Sequence, residues 1–293
     1  MSDIHLDPAK KHDALFLFDA IDSNPNGDPD NAGKPRTDLE TGQGIVSDAS
    51  LKRKIRDSVA FQVEQGLLRG ERNGIFIRRG VSLNEQLEAA YDELGLSKTD
   101  KKAAGANVVT VQRLMIERYF DNRMFGAVLS TGKAQAGKVT GPVSVGIGRS
   151  LDAVLPMDLS ITRTASTKEE DKDNASQMGN KTVIPYGLYA ARIHYQPTRN
   201  NQVTREDLQT LWATLATMFE VTRSAARPDV NARGLFVFSH DNPLGNAPAR
   251  ALLDSVVIQR VNVGDAPPPA RFEDYVIVEP ASVPSGVSYS RLV

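Results

Sequence analysis

Residues 12–30, HDALFLFDAIDSNPNGDPD, change character halfway along, and the rest of the chain is read outward from that change. The first part is mostly apolar, with two Phe, and reads as a buried strand that opens the fold. The second part is polar and dense in turn-forming Asp, Asn, Pro and Gly. From Asp22 it imitates an EF-hand loop, with oxygen-bearing side chains and Gly27 at the sixth place. The twelfth place needs a bidentate Glu and holds Gly33 instead. An EF-hand also lies between helices, whereas a strand precedes this loop and Pro25 and Pro29 stiffen it. No metal and no cofactor is expected here.

Downstream, Ser47 or Asp48 caps a helix in which Leu51, Ile55, Val59 and Val63 form an apolar stripe at four-residue spacing. Lys52, Arg53 and Arg56 fall on another face. Such a face is either solvated surface or, at the end of a Gly-rich loop, an anion site beside a helix N-terminus. Residues 66–131 read as an insertion without a core of its own, with helical stretches at 83–94 and 108–120. A Gly-, Lys- and Gln-bearing segment then leads to a strand at 142–147.

Residues 158–164 and 183–195 carry strand signals around a strongly polar centre, which spells a long hairpin with a mobile tip. Thr204 and Asp207 start a helix by a capping-box pattern, with Leu208, Leu211, Trp212, Leu215 and Phe219 on its apolar face. Strands are expected at 235–239 and 255–261, and at 275–278. The order strand, helix, strand, strand, helix, strand is the split βαβ arrangement of ferredoxin-like and RNA-recognition folds.

The 293 residues are 40% hydrophobic, 24% charged and 6% aromatic, which suits a globular α+β protein of one large or two ordinary domains. There is no cysteine, so disulfides, thiolate metal sites and cysteine nucleophiles are excluded. The N-terminal stretch has no signal-peptide pattern and no segment spans a membrane, so a cytoplasmic location is expected. A net charge of −1 gives no global pull on nucleic acid, yet 47–82 is locally basic and the tail from Asp254 leans acidic.

Catalytic signatures are lacking. His5, His12, His194 and His240 are scattered without metal-ligand spacing, and there is no GxSxG elbow. Gly146, Gly148 and Arg149 in GPVSVGIGRS match neither a Walker loop nor a dinucleotide fingerprint. The remaining candidates are the loop carboxylates Asp22, Asp28, Asp30 and Asp38, which either decorate a solvated turn or hold a divalent ion for phosphodiester cleavage.

NPNGDPD, PRTD at 35–38, VSDASLKRKIRD at 46–57, DNRMFG at 121–126 and GPVSVGIGRSLD at 141–152 occur in that order. Together they resemble the backbone subunit of CRISPR type I Cascade complexes, closest to the type I-C form. The resemblance runs from 12 to 195 and more loosely through the Trp212 helix. It implies a modified ferredoxin-like, RNA-recognition palm (1–65 and 132–293), a helical fingers insertion (66–131) and a β-hairpin thumb at about 158–195. It further implies a non-catalytic protein that polymerises along a guide RNA. Expected partners are target DNA paired to the guide, other Cascade subunits and a recruited nuclease-helicase, with no membrane.

On this resemblance the loop is neither a calcium site nor an active site. Asn24, Asn26 and Gly27 would set a turn whose backbone and amide groups stay free for phosphate or ribose. Further RNA contacts would come from Arg36, Ser50, Lys52, Arg53, Arg56, Arg123, Lys133, Gln135 and Lys138, with Met178 wedged between bases. The competing reading is a metal-dependent ribonuclease using Asp22, Asp28 or Asp38, as in type III backbone subunits.

Overall fold

The computed structural model describes residues 3–97, 104–130, 134–163, 177–197, 202–262 and 267–293. The chain opens with β1 (His12–Ser23), then a long loop, β2 (Gln43–Val46) and α1 (Asp48–Glu64). Next come α2 (Gly70–Asn73), α3 (Leu83–Glu93), α4 (Ala104–Arg118), α5 (Phe120–Phe125) and the short pair β3 (Gly126–Val128) and β4 (Lys138–Thr140). They are followed by β5 (Val143–Val145), β6 (Gly148–Ala153), β7 (Met157–Arg163), β8 (Gln177–Tyr195), α6 (Arg205–Val221) and β9 (Asp229–His240). The C-terminal part holds α7 (Ala249–Asp254), β10 (Val257–Arg260), β11 (Tyr275–Val278) and β12 (Val287–Arg291).

The main sheet is antiparallel in the order β12-β9-β1-β8-β6-β2, with β5 and β7 also paired to β8. Its centre, β9-β1-β8-β6 with α1 before β6 and α6 between β8 and β9, has the split βαβ connectivity expected. β1 reads as a continuous apolar run because both of its faces are covered. Ala14, Phe16, Phe18 and Ala20 pack under α1 and α6, while Leu15 and Leu17 pack under Leu252, Leu253 and Val256.

α1 begins where its sequence says it should: the Ser47 hydroxyl accepts from the Ser50 N–H at 3.2 Å, and Leu51, Ile55 and Val59 are buried. α6 has the capping box between Thr204 and Asp207 and buries its whole predicted apolar face, Trp212 included.

Several expectations need correction. The insertion has a core of its own, in which Phe76, Leu87, Tyr91, Val111 and Met115 meet. Ala134 and Ala136 belong to the same cluster, so it extends past 131. The core forms by mutual packing of α3, α4 and the segments at 76 and 129–136, contacts too distant in sequence for the helical stretches to announce. The strands expected at 255–261 and 275–278 are present as β10 and β11, and they pair with each other. β2, β6, α7 and β12 were not anticipated, being short or polar on one side. In the expected hairpin, β7 pairs with β8 from Met157 opposite Val183 to Arg163 opposite Gln177. Its tip, 164–176, lies outside the described residues. No helix among the described residues is long and apolar enough to cross a membrane.

Candidate nucleic-acid interface

The loop after β1 folds back on itself as a ribbon. Asp28 N–H donates to Lys34 O at 2.8 Å, Arg36 N–H to Asn26 O at 3.1 Å, and Ile45 N–H to Arg36 O at 2.8 Å. Asp22 takes a left-handed φ of 44°, which Asp tolerates better than most residues. Gly27 is required by a close approach: a Cβ there would stand 2.8 Å from the Gly33 carbonyl oxygen.

The loop amides are not left free, contrary to expectation. Asn24 Nδ2 donates to Gly33 O at 2.7 Å, closing the turn, and Asn26 Oδ1 accepts from Ser47 N–H at 2.8 Å. The second bond ties the loop to the first turn of α1. A short Asx side chain can cap a neighbouring backbone donor in this way, which is why Asn suits the position.

Lys54 strengthens the same joint. Its ammonium donates to Ser50 Oγ at 2.9 Å and to Pro25 O at 3.3 Å, and the side chain is buried. Burial, with Arg227 and Arg53 nearby, pulls its pKa down to about 8 although Asp57 opposes the shift. Ser50 is therefore engaged by Lys54.

The cations on α1 divide by exposure. Arg53 is 61% exposed and bridges Asp57 at 3.3 Å, and Lys52 is 24% exposed and bridges Asp48 at 3.2 Å. Such pairs within one helix are weak and leave the charge accessible. Arg56 is 12% exposed and donates to Asp121 at 2.8 Å. Asp121 also accepts from the Phe76 and Ile77 N–H groups at 2.8 and 3.0 Å, so Arg56 fastens the insertion to α1. Lys52 and Arg56 both stand over the Phe125 ring, at 6.0 and 5.4 Å from its centroid.

Arg123 is a correction. It is 2% exposed, bonds both oxygens of Asp207, and donates to the carbonyls of Ile116, Glu117 and Arg72. Its donors are spent inside the protein, which leaves none for the RNA contact expected of it. Nothing in DNRMFG distinguishes a buried Arg from an exposed one, because its partner lies far along the chain.

Of the other expected contacts, Arg36 is part-exposed and pairs with Asp28 at 3.2 Å. Gln135 and Lys138 are exposed on the insertion, well beyond the α1 cluster in the chain. Lys133 and the Met178 side chain lie outside the described residues; the Met178 backbone pairs with Thr162. Two of the loop carboxylates, Asp28 and Asp38, have local duties. Asp28 accepts from the Asp30 N–H at 3.3 Å. Asp38 accepts from the Glu40 and Thr41 N–H groups at 3.0 and 3.3 Å. The Arg149 guanidinium, 2.8 Å away, and these backbone bonds hold the Asp38 carboxyl below its ordinary pKa.

The residues that sequence reading missed are Lys54 and Phe125. Lys54 looked like one more surface cation in KRKIR, though its place on the Leu51–Ile55 side of the helix was a usable signal. Phe125 had none.

Fold and site together define an α+β protein with a split βαβ sheet and a cationic helix joined to a structured loop. The chain belongs to the CRISPR-associated protein Cas7 family, whose model matches residues 10–279. A CRISPR-associated protein Cas7 of Haloferax volcanii is 49% identical over 49 residues, a match spanning 17% of this chain and 14% of that relative. Among solved structures, a chain of a CRISPR RNA-guided surveillance complex in a pre-nicking state is similar with a TM-score of 0.46 and 16% identity, covering 78% of each chain. A chain of the Type III-B Cmr-beta complex bound to cognate target RNA gives a TM-score of 0.41 at 11% identity, over 78% of this chain and 61% of that one. A further CRISPR RNA-guided surveillance complex gives 0.34 at 14% identity, over 76% and 68%.

Proposed function

We propose that this chain is a non-catalytic backbone subunit that binds guide RNA in a type I CRISPR surveillance complex, closest to the type I-C form. In that reading the split βαβ body is the palm, the insertion with its own core is the fingers, and the β7–β8 arm is the thumb. Copies would polymerise along the guide, present it to target DNA, and meet other subunits and a recruited nuclease-helicase in the cytoplasm.

The observation that carries the reading is the Asn26–Ser47 bond, which sets the loop beside the part-exposed Lys52 and the exposed Arg53 at the start of α1. A hydrogen-bonded loop next to solvent-accessible cations suits a backbone of phosphates, which is recognised by charge and position rather than by sequence. The engagement of Asp28 and Asp38 in turns and ion pairs supports structural duties for them over ion binding.

The test is the RNA that accompanies the protein when it is purified together with the products of its native operon. The reading expects bound RNA of uniform length. Protein free of RNA, or carrying only random lengths, contradicts it.

A further inference from the structure

The sheet face turned away from α1 and α6 is covered by the C-terminal elements, but incompletely. Between α7 and β10 on one side and β5, β6 and β8 on the other lies a cleft of about 810 Å3. Its floor is apolar, built from Leu15, Ala190 and Val256. Its walls carry Arg149, Arg192 and His194. The volume lies in the range of small-molecule sites and has room for one nucleotide.

The two guanidiniums are partly committed. Arg192 donates from Nη2 to Asp254 at 2.8 Å, and Arg149 from Nη1 to Asp38 at 2.8 Å. A guanidinium has five N–H groups in a fixed fork, so donors remain on both for an anion in the cleft.

His194 is held differently. Its Nδ1 lies 2.5 Å from Oδ1 of Asp13, a fully buried carboxylate that also meets His240 Nε2 at 2.9 Å and Lys11 Nζ at 3.2 Å. Burial pushes the Asp13 carboxyl up, but the hydrogen bonds from His194 and His240 outweigh it and hold the group below the usual carboxylate range. An ionised Asp13 accepts a hydrogen bond from the Nδ1–H of the ring. Nε2 has no partner among the described residues and is left to hydrogen-bond a ligand.

We propose that this cleft binds one ribonucleoside phosphate: Arg192 and Arg149 hold the phosphate, His194 Nε2 hydrogen-bonds the 2′-hydroxyl, and the base lies on the apolar floor. The 2′-hydroxyl is the ribose group that a strand leaves free, so the same chemistry serves a free nucleotide or one residue of RNA. The site does not rest on the guide-binding face, since it opens on the opposite side of the sheet.

Binding of adenosine 5′-monophosphate, its 2′-deoxy form and a labelled ribohexanucleotide to the full chain tests this by titration. Saturable binding of the ribonucleotide, the ribo-oligomer or both is expected. Saturation by the nucleotide alone assigns a free ligand, and saturation by the oligomer alone assigns a strand. Arg192→Gln, at an exposed position, should weaken binding about tenfold, as loss of a charge-assisted hydrogen bond does. The deoxy form should bind more weakly, and His194→Ala should erase that preference. Failure of both ribo ligands to saturate overturns the proposal, as does equal binding by wild type, Arg192→Gln and Arg149→Gln. Equal affinity of wild type for ribo and deoxy forms overturns the role of His194. Lys52→Ala/Arg53→Ala should weaken the oligomer at the guide face, so the cleft is read from adenosine 5′-monophosphate, and loss of nucleotide binding in that variant would place the ligand on the guide face instead.

Discussion

Arg123 and Asp207, 84 residues apart in sequence, form a two-pronged ion pair inside the protein, Nε to Oδ2 at 2.9 Å and Nη2 to Oδ1 at 2.6 Å. Asp207 is also the third residue of the α6 capping box and accepts from Arg72 at 3.0 Å. One carboxylate thus fixes a helix start and docks the insertion against α6. Burial lowers the Arg123 pKa and would raise that of Asp207, but the bonds from Arg123 reverse the shift on the acid.

Removing one partner leaves a buried charge poorly compensated. Arg123→Met is expected to lower stability by about 3 kcal/mol or more, because truncating a buried pair costs more than the pair is worth as a whole. Urea unfolding measures this. RNA affinity per folded molecule should stay unchanged, and a specific loss of affinity without loss of stability would restore Arg123 to the RNA surface.

Arg56→Ala is expected to behave in the same manner, loosening the insertion through Asp121 rather than removing a phosphate contact. Faster hydrogen exchange at the Phe76 and Ile77 amides, which Asp121 accepts, would report the loosening. Unchanged exchange there would count against the role assigned to Arg56.

His12 makes stability depend on pH. It is buried, and its Nε2–H donates to Asp7 O at 2.9 Å while Nδ1 meets Ser239 Oγ at 2.9 Å, as a neutral ring allows. Burial lowers its pKa from 6.5 to about 4. Above 6.5 both folded and unfolded states keep the ring neutral and its contribution is full. As pH falls from 6.5 toward 4 only the unfolded state takes the proton, so stability declines, by on the order of 3 kcal/mol. His12→Gln should flatten that decline. Unfolding followed through Trp212 at pH 7 and pH 5 decides it, and parallel losses in both proteins would refute the assignment.

The purified assembly, given guide, complementary RNA and magnesium or manganese, should leave the RNA intact. Cutting at a carboxylate would need a divalent ion to orient the nucleophile and offset developing charge. Fragments at regular spacing that vanish with Asp22→Ala, Asp28→Ala or Asp38→Ala would favour a nuclease.

What the sequence made legible follows from the range of the interactions. β1, α1 and α6 were readable because apolar spacing and caps are local, and these three elements with β8 and β9 set the sheet order. The insertion's core was not, because Leu87 of α3 and Met115 of α4 are buried in a cluster with Phe76, Leu129 and Ala136, residues distant from them in sequence. At the site, the loop and the cations of α1 were readable as residue types. Their roles were not: whether Arg53, Arg56 or Arg123 faces solvent depends on Asp57, Asp121 and Asp207, and two of those three pairings are long-range.

The most direct measurement is guide-RNA affinity as a function of salt for wild type and for Lys52→Ala/Arg53→Ala. Removing one cation from the phosphate backbone should reduce the slope of log affinity against log salt by about one. The account predicts weaker binding and a slope shallower by about two in the double variant, with unchanged unfolding. Identical affinity and slope in a folded double variant would remove α1 from the RNA surface and contradict the account.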